Sequence, residues 1–252
     1  MTALVDGVER LVHFLVDPLL RFNLIDRSLA LGAQAFGALI PLLIVIETAQ
    51  PGNESLADEL IERFRLTGAA AETVRTAFST PTDEATITAL GVIVLIVSTL
   101  SFTRRLQRLY EETWSLESRG LRGTGWGLAW IAFFALYGLL HPLLDSTFNG
   151  LASVLLSIGG ALTIGLVTPY LLLGRRVPGR RLLLQAALTA VGITALGAWT
   201  AVYMPHAIGS SAASYGAIGV AFAMLTWLWG FGIVMVIAAV YGSPQMQWRG
   251  QR

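Results

Sequence analysis

Between Arg181 and Arg249 the chain carries no Asp, Glu, Lys or Arg. Its last part, Ser214 to Gly242, reads SYGAIGVAFAMLTWLWGFGIVMVIAAVYG. A charge-free apolar run longer than about 18 residues fits a membrane-spanning helix. A soluble helix of that length needs a polar face, and this one has none. The other segments are read around this one.

Of the 252 residues, 54% are hydrophobic and 13% charged, against about 25% charged in a soluble domain. The composition therefore predicts an all-α, polytopic membrane protein whose spans and loops use the whole length. Cysteine is absent, which excludes disulfide and thiolate chemistry. Every basic residue is arginine. The N-terminus lacks a basic n-region and a small-residue cleavage site, so the spans themselves are expected to direct insertion.

Residues 1–27 are expected to form an amphipathic interfacial helix. Leu4, Val8, Leu11, Leu15 and Leu19 share a face, Asp6–Arg10 and His13–Asp17 are i,i+4 pairs, and an interruption is expected near Pro18. The first span is placed at 28–46. Residues 50–82 form an outer helical loop of two short helices, the first capped by Ser55 with Asp58 and ended by Gly68. The second span, 84–102, is expected to continue as a helix through TRRLQRLYEETWSLESRG to Gly120, with Arg108 and Glu112 spaced as an i,i+4 pair. The remaining spans are placed at 124–144, 151–173, 182–203 and 214–242. Trp126 and Trp130 form one aromatic belt, Trp199 and Tyr203 another, and Met204–Ala213 is read as a polar loop. Pro41, Pro142 and Pro169 are candidate helix kinks, since each removes a backbone donor.

Fourteen arginines fall on the side of the termini and three on the other. The positive-inside rule then gives six spans with both termini in the cytoplasm. Spans 1–3 and 4–6 would be inverted relative to each other, as in many transporters.

The spans offer no carboxylate at mid-depth, which argues against a proton pump built on one. The topology puts Glu47, His141, Asp145 and His206 at the outer ends of spans, a candidate outer vestibule. Such a set can hold a divalent ion or a polar substrate group, although no tight ligand motif such as HxxxH supports a metal. Gln34, Tyr215, Gly216 and Trp227 are candidate cavity or packing residues. Trp227 lies mid-span, so interfacial anchoring does not explain it. Arg104, Arg105, Arg108, Arg175 and Arg176 flank spans on the arginine-rich side and are candidates for anionic headgroups. No GxSxG, P-loop or dinucleotide-binding motif is present. A cytosolic nuclease would need histidines clustered with Glu111, Glu112 and Glu117, and the loops supply none.

Several segments resemble one family. SLALGAQAFGALIPLLIV, LQRLYEETW and RRVPGRRLLLQAAL are similar to its first span, its segment after span two and its loop before span five. Tyr215, Gly216, Gly219 and Trp227 match the start and later tryptophan of its last span. The family is the YihY/virulence factor BrkB family of multi-pass membrane proteins, and the resemblance covers about residues 20–242. Two places depart from it: Glu111 stands where an asparagine is usual, and Ala238, Ala239, Val240, Tyr241 and Gly242 stand where members often carry Gly-Ala-Glu-x-Asn. The resemblance implies a cytoplasmic-membrane protein linked to envelope traits and transport. The function expected is a transporter or translocator of an amphiphilic, lipid-like or polar envelope-related molecule. A non-transport scaffold for envelope assembly is the alternative, and a membrane ribonuclease, after the family's older ribonuclease BN label, is disfavoured. No cofactor and no nucleic-acid partner are expected. The expected partners are membrane lipids and a lipid or small-molecule substrate.

Overall fold

In a computed structural model the chain is helical, with no strand among the described residues. The described residues are 16–49, 84–147 and 150–244, with 58, 61–62, 68, 71–72 and 75 between them. Side chains at 40–49, 84–90, 121, 139, 141–147, 151–154 and 217 lie outside the description, as do residues 1–15.

Among the described residues the long helices begin with α1 (Leu24–Ala49), α2 (Glu84–Thr113), α3 (Thr124–Thr147) and α4 (Leu151–Leu172). A helical stretch, Gly179–Tyr241, follows and is broken at Gly216, giving α5 (Gly179–Gly216) and α6 (Ile218–Tyr241). Three helical segments are long and apolar enough to cross a membrane: Leu155–Leu172, α5 and α6. Thr124–Gly138 is a shorter apolar helix. At 1.5 Å per residue the three span roughly 27, 57 and 36 Å, against about 30 Å of bilayer hydrocarbon. Val97, Leu155, Val191, Val202, Ile218 and Phe222 are all exposed, and apolar surface on that scale calls for a non-aqueous neighbour.

The chain divides into two compact units. The first comprises Met1–Ala30, Arg104–Ile193 and Gly232–Arg252. Within it α3 and α4 form an antiparallel pair. Trp130 Nε1 donates to Thr168 Oγ1 at 3.3 Å, and the Tyr137 hydroxyl occupies the space a side chain at 160 would need. Trp130 is buried, so it is a packing residue rather than the interfacial anchor its position suggests. Next, α4 meets α5 at Gly165, where a Cβ would lie 2.6 Å from the Ala186 carbonyl oxygen. The end of α6 meets α5 at Gly242, where a Cβ would lie 2.6 Å from Gln185 Cα.

The second unit comprises Leu31–Thr103 and Thr194–Phe231. Met204, Ile208 and Ala212 recur every four residues on α5 and pack with Ala71, Ile61, Val220, Ala223, Met224 and Trp227. That stripe explains why the expected loop at Met204–Ala213 is instead helix. The buried apolar face outweighs the donor lost at Pro205, and the polar residues between lie outward. The reversal comes at Gly216, whose φ of 58° and ψ of −141° lie near a region open essentially to glycine. Three residues on, Gly219 lies so close to the Ser211 carbonyl that no side chain fits. On α1, a Cβ at Gly32 would lie 2.8 Å from the Trp229 backbone nitrogen.

Two other helix ends differ from expectation. Helix α2 stops at Thr113 rather than running to Gly120. Ser115 takes a φ of 52°, its N–H bonds Glu112 O at 3.1 Å and the Leu116 N–H bonds Glu111 O at 2.8 Å. This is a Schellman cap with serine where glycine is usual. Near the N-terminus the helix passes through Pro18 to Arg21, and the break falls at Asn23, at φ 49°. The helical backbone is continuous through Pro41, Pro142 and Pro169.

Candidate functional site

The first unit buries a polar cluster on the last turns of α2. Gln107 and Glu111, spaced four apart, share its inner face with Leu106 and Tyr110, with Trp114 just past its end, and all are buried. A carboxylate 2% exposed needs charged and hydrogen-bonding partners. Glu111 Oε1 accepts from Arg176 Nη2 at 2.7 Å, from Gln107 Nε2 at 3.1 Å and from the Arg119 backbone N–H at 3.3 Å.

Arg176 is fully committed. Its Nε donates to Leu173 O at 2.9 Å and its Nη1 to Glu117 O at 2.8 Å. One guanidinium thus ties the end of α4 and the loop after α2 to the carboxylate, a task for the planar fork of arginine rather than for lysine. Gly174 makes this arrangement accessible. At φ 62° it ends α4 through the Arg175 N–H to Tyr170 O and Gly174 N–H to Leu171 O bonds, a second Schellman cap.

Beside this clamp Trp114 Nε1 donates to Gln185 Oε1 at 3.1 Å. Burial pushes the Tyr110 hydroxyl well above its usual pKa, with the neighbouring Gln185 amide pulling the other way. Glu112, four residues after Arg108, pairs instead with Arg27. Both carboxylates of the Glu111–Glu112 pair are therefore engaged by arginines.

A cleft of about 280 Å³ opens next to the clamp, lined by Arg104, Gln107, Arg108, Glu111, Ser118 and Gly120. Arg104 Nε is enclosed without an acceptor, and its Nη2 reaches Thr124 Oγ1 only at 3.4 Å. Arg108 is exposed and forms no ion pair among the described residues.

The five candidate headgroup arginines are thereby sorted. Arg104 and Arg108 line the cleft, and Arg105 is exposed outside it. Arg175 lies over the Tyr170 ring at 5.5 Å and donates to its hydroxyl at 3.0 Å. Arg176 belongs to Glu111.

Of the vestibule set, His206 is exposed on α5, while the side chains of Glu47, His141 and Asp145 lie outside the described residues. Among described residues no group of three His, Cys, Asp or Glu is placed to hold a metal. In the second unit Trp227 Nε1 donates to Thr200 Oγ1 at 2.6 Å, and that hydroxyl donates to Leu196 O at 2.6 Å. Gln34 Oε1 is enclosed with no donor. Tyr215 is 74% exposed, and Gly216 makes the reversal. Gln107, Ser118 and Gly120 are site residues that sequence reasoning passes over. The available signal is the four-residue spacing of Gln107 and Glu111 on a helix that also carries arginines.

These features define an all-helical protein with three helices long and apolar enough to cross a membrane and a buried polar clamp beside an arginine-lined cleft. No family model matches the sequence, and no curated protein or solved structure matches it.

Proposed function

We propose that the protein is a six-span, multi-pass component of the plasma membrane, with both termini cytoplasmic, that moves an amphiphilic, lipid-like molecule across the bilayer. Membership in the YihY/BrkB family is part of the proposal and rests on the motifs quoted above. The orientation rests on fourteen arginines against three.

The observation that carries the transport reading is Gln34 Oε1, enclosed and without a donor among the described residues of the second unit. An unpaired buried acceptor costs about 1–3 kcal/mol, and polar groups inside an apolar bundle commonly mark a substrate path. A hydroxyl or amide of a passing molecule would supply the missing donor. The Thr200–Trp227 pair in the same unit adds polarity without a fixed charge, which suits an amphiphile better than an inorganic ion.

The test is reconstitution of the purified chain into liposomes containing labelled phospholipid or a lipid-linked sugar. Accelerated exchange between leaflets is expected, slowed by Gln34→Leu. Liposomes that move neither label would overturn the proposal in favour of a scaffold.

A further inference from the structure

The Arg104–Arg108 cleft has a chemistry of its own. Its one carboxylate, Glu111, is neutralised by Arg176 at 2.7 Å, which leaves two guanidinium groups in the wall without a carboxylate partner among the described residues. One of them, Arg104, has an enclosed Nε–H with no acceptor. Arginine forks match the oxygens of a phosphate, and both arginines line the cleft.

The remaining wall suits such a guest. Ser118 contributes a hydroxyl. Gly120, at φ 53°, carries no side chain, and a Cβ there would meet nothing within 4 Å, so the entrance stays open. Gln107 is fixed between Glu111 and the side-chain-free surface of Gly123, which keeps its amide from swinging into the cleft. The volume of about 280 Å³ holds a phosphate with a small polar ester substituent.

We infer that this cleft binds a phosphate ester through Arg104 and Arg108. A lipid headgroup and a soluble phosphate ester offer the same chemistry. In sequence, Arg104 directly follows the apolar stretch Gly91–Phe102, which places the arginines where headgroups lie if that stretch is a span. Binding here does not depend on translocation, and the residues involved differ from Gln34.

The test uses the full chain in detergent, with ligand retention read by native mass spectrometry. The probes are phosphatidylglycerol, diacylglycerol as its phosphate-free counterpart, and inorganic phosphate. The wild-type protein is expected to retain phosphatidylglycerol over diacylglycerol. Competition by inorganic phosphate would show that the cleft accepts phosphate from either source. Retention that phosphate does not disturb would assign it to a lipid headgroup. Phosphate adducts without lipid preference would assign it to a soluble ester.

Arg104→Gln with Arg108→Gln is expected to weaken binding about tenfold or more, since each charge-assisted contact is worth upwards of tenfold. Arg105→Gln should change it less than about twofold, as expected of an exposed charge outside the cleft. Ser118→Glu, on the exposed loop, puts a competing carboxylate at the cleft without touching α2, and should reproduce the loss even if the double variant folds poorly. Equal retention by wild type and Ser118→Glu, or an equal loss in Arg105→Gln, would overturn the assignment.

Discussion

The two units hold their helices together by different means. The first adds to its close approaches at Gly165 and Gly242 a buried carboxylate with three donors, one guanidinium reaching three acceptors, and an indole bonded to an amide. The second relies mainly on nearness, with Gly32 on a tryptophan backbone, Gly219 on a serine carbonyl and a stripe of Met204, Ile208 and Ala212, beside the single Trp227–Thr200 bond. A polar network fixes one arrangement because each partner lost leaves another unsatisfied. Close packing through small residues needs no partner chemistry, and it fails when volume is added.

That contrast can be broken first at Glu111. Glu111→Leu strands the Arg176 guanidinium, the Gln107 amide and the Arg119 N–H, and should cost about 3–5 kcal/mol. A thermal melt of the detergent-solubilised protein should fall by roughly 10 °C. Arg176→Leu should cost nearly as much, and the double variant much less than the two losses together. Full additivity would mean the clamp is not a unit.

In the second unit the damaging change is an addition. Gly219→Val drives a side chain into the Ser211 carbonyl and should cost about 1–3 kcal/mol. Gly209→Ala, with nothing within 4 Å of the new Cβ, should be neutral or stabilising. Gly216→Ala tests the reversal itself, at about 1–3 kcal/mol for a side chain held at that φ and ψ. Equal melting points for all three variants would deny the close approach.

Trp227→Phe keeps the ring and removes the bond to Thr200. A hydrogen bond between helices in this setting is worth about 0.6 kcal/mol, so a small shift in melting temperature is expected. Smallest at neutral pH is the effect of Tyr110. Its folded pKa is raised above the usual 10.0, so the unfolded chain releases that proton first. Its contribution is intact below pH 10 and declines as pH rises above it. Tyr110→Phe should flatten that part of the stability–pH curve.

The sequence makes the long elements legible because charge and hydropathy alternate over whole spans. The six expected spans overlap the helices α1 to α6 in sequence, of which Leu155–Leu172, α5 and α6 are long and apolar enough to cross a membrane, and Gly68, expected to end a helix, adopts φ 60°. What it hides is local. Ser115 ends α2 in a conformation usually given to glycine, so the helix reads as seven residues longer than it is. The Met204–Ala213 segment looks like a loop because it contains Pro205 and His206, yet every fourth residue is buried. Arg176 and Glu111 are 65 positions apart, and no pattern in either neighbourhood pairs them. Arg108 and Glu112 look like a pair by spacing, but Arg27 takes the carboxylate. The cleft follows from these pairings, since an arginine is left for a ligand only when the nearby carboxylates are already occupied.

The turn at Gly216 also bears on biogenesis. The chain reverses at Gly216 between two stretches, 182–216 and Ile218–Tyr241, that are free of Asp, Glu, Lys and Arg, and in the six-span reading proposed above they present the insertion machinery with one self-complementary hairpin rather than two successive spans. All its backbone groups except the few at the turn are satisfied within its own helices. The four arginines from Arg175 to Arg181 precede the hairpin and the two of the tail follow it. In that reading neither end of the hairpin has to drag a charge across the bilayer, and only the compact tip has to pass.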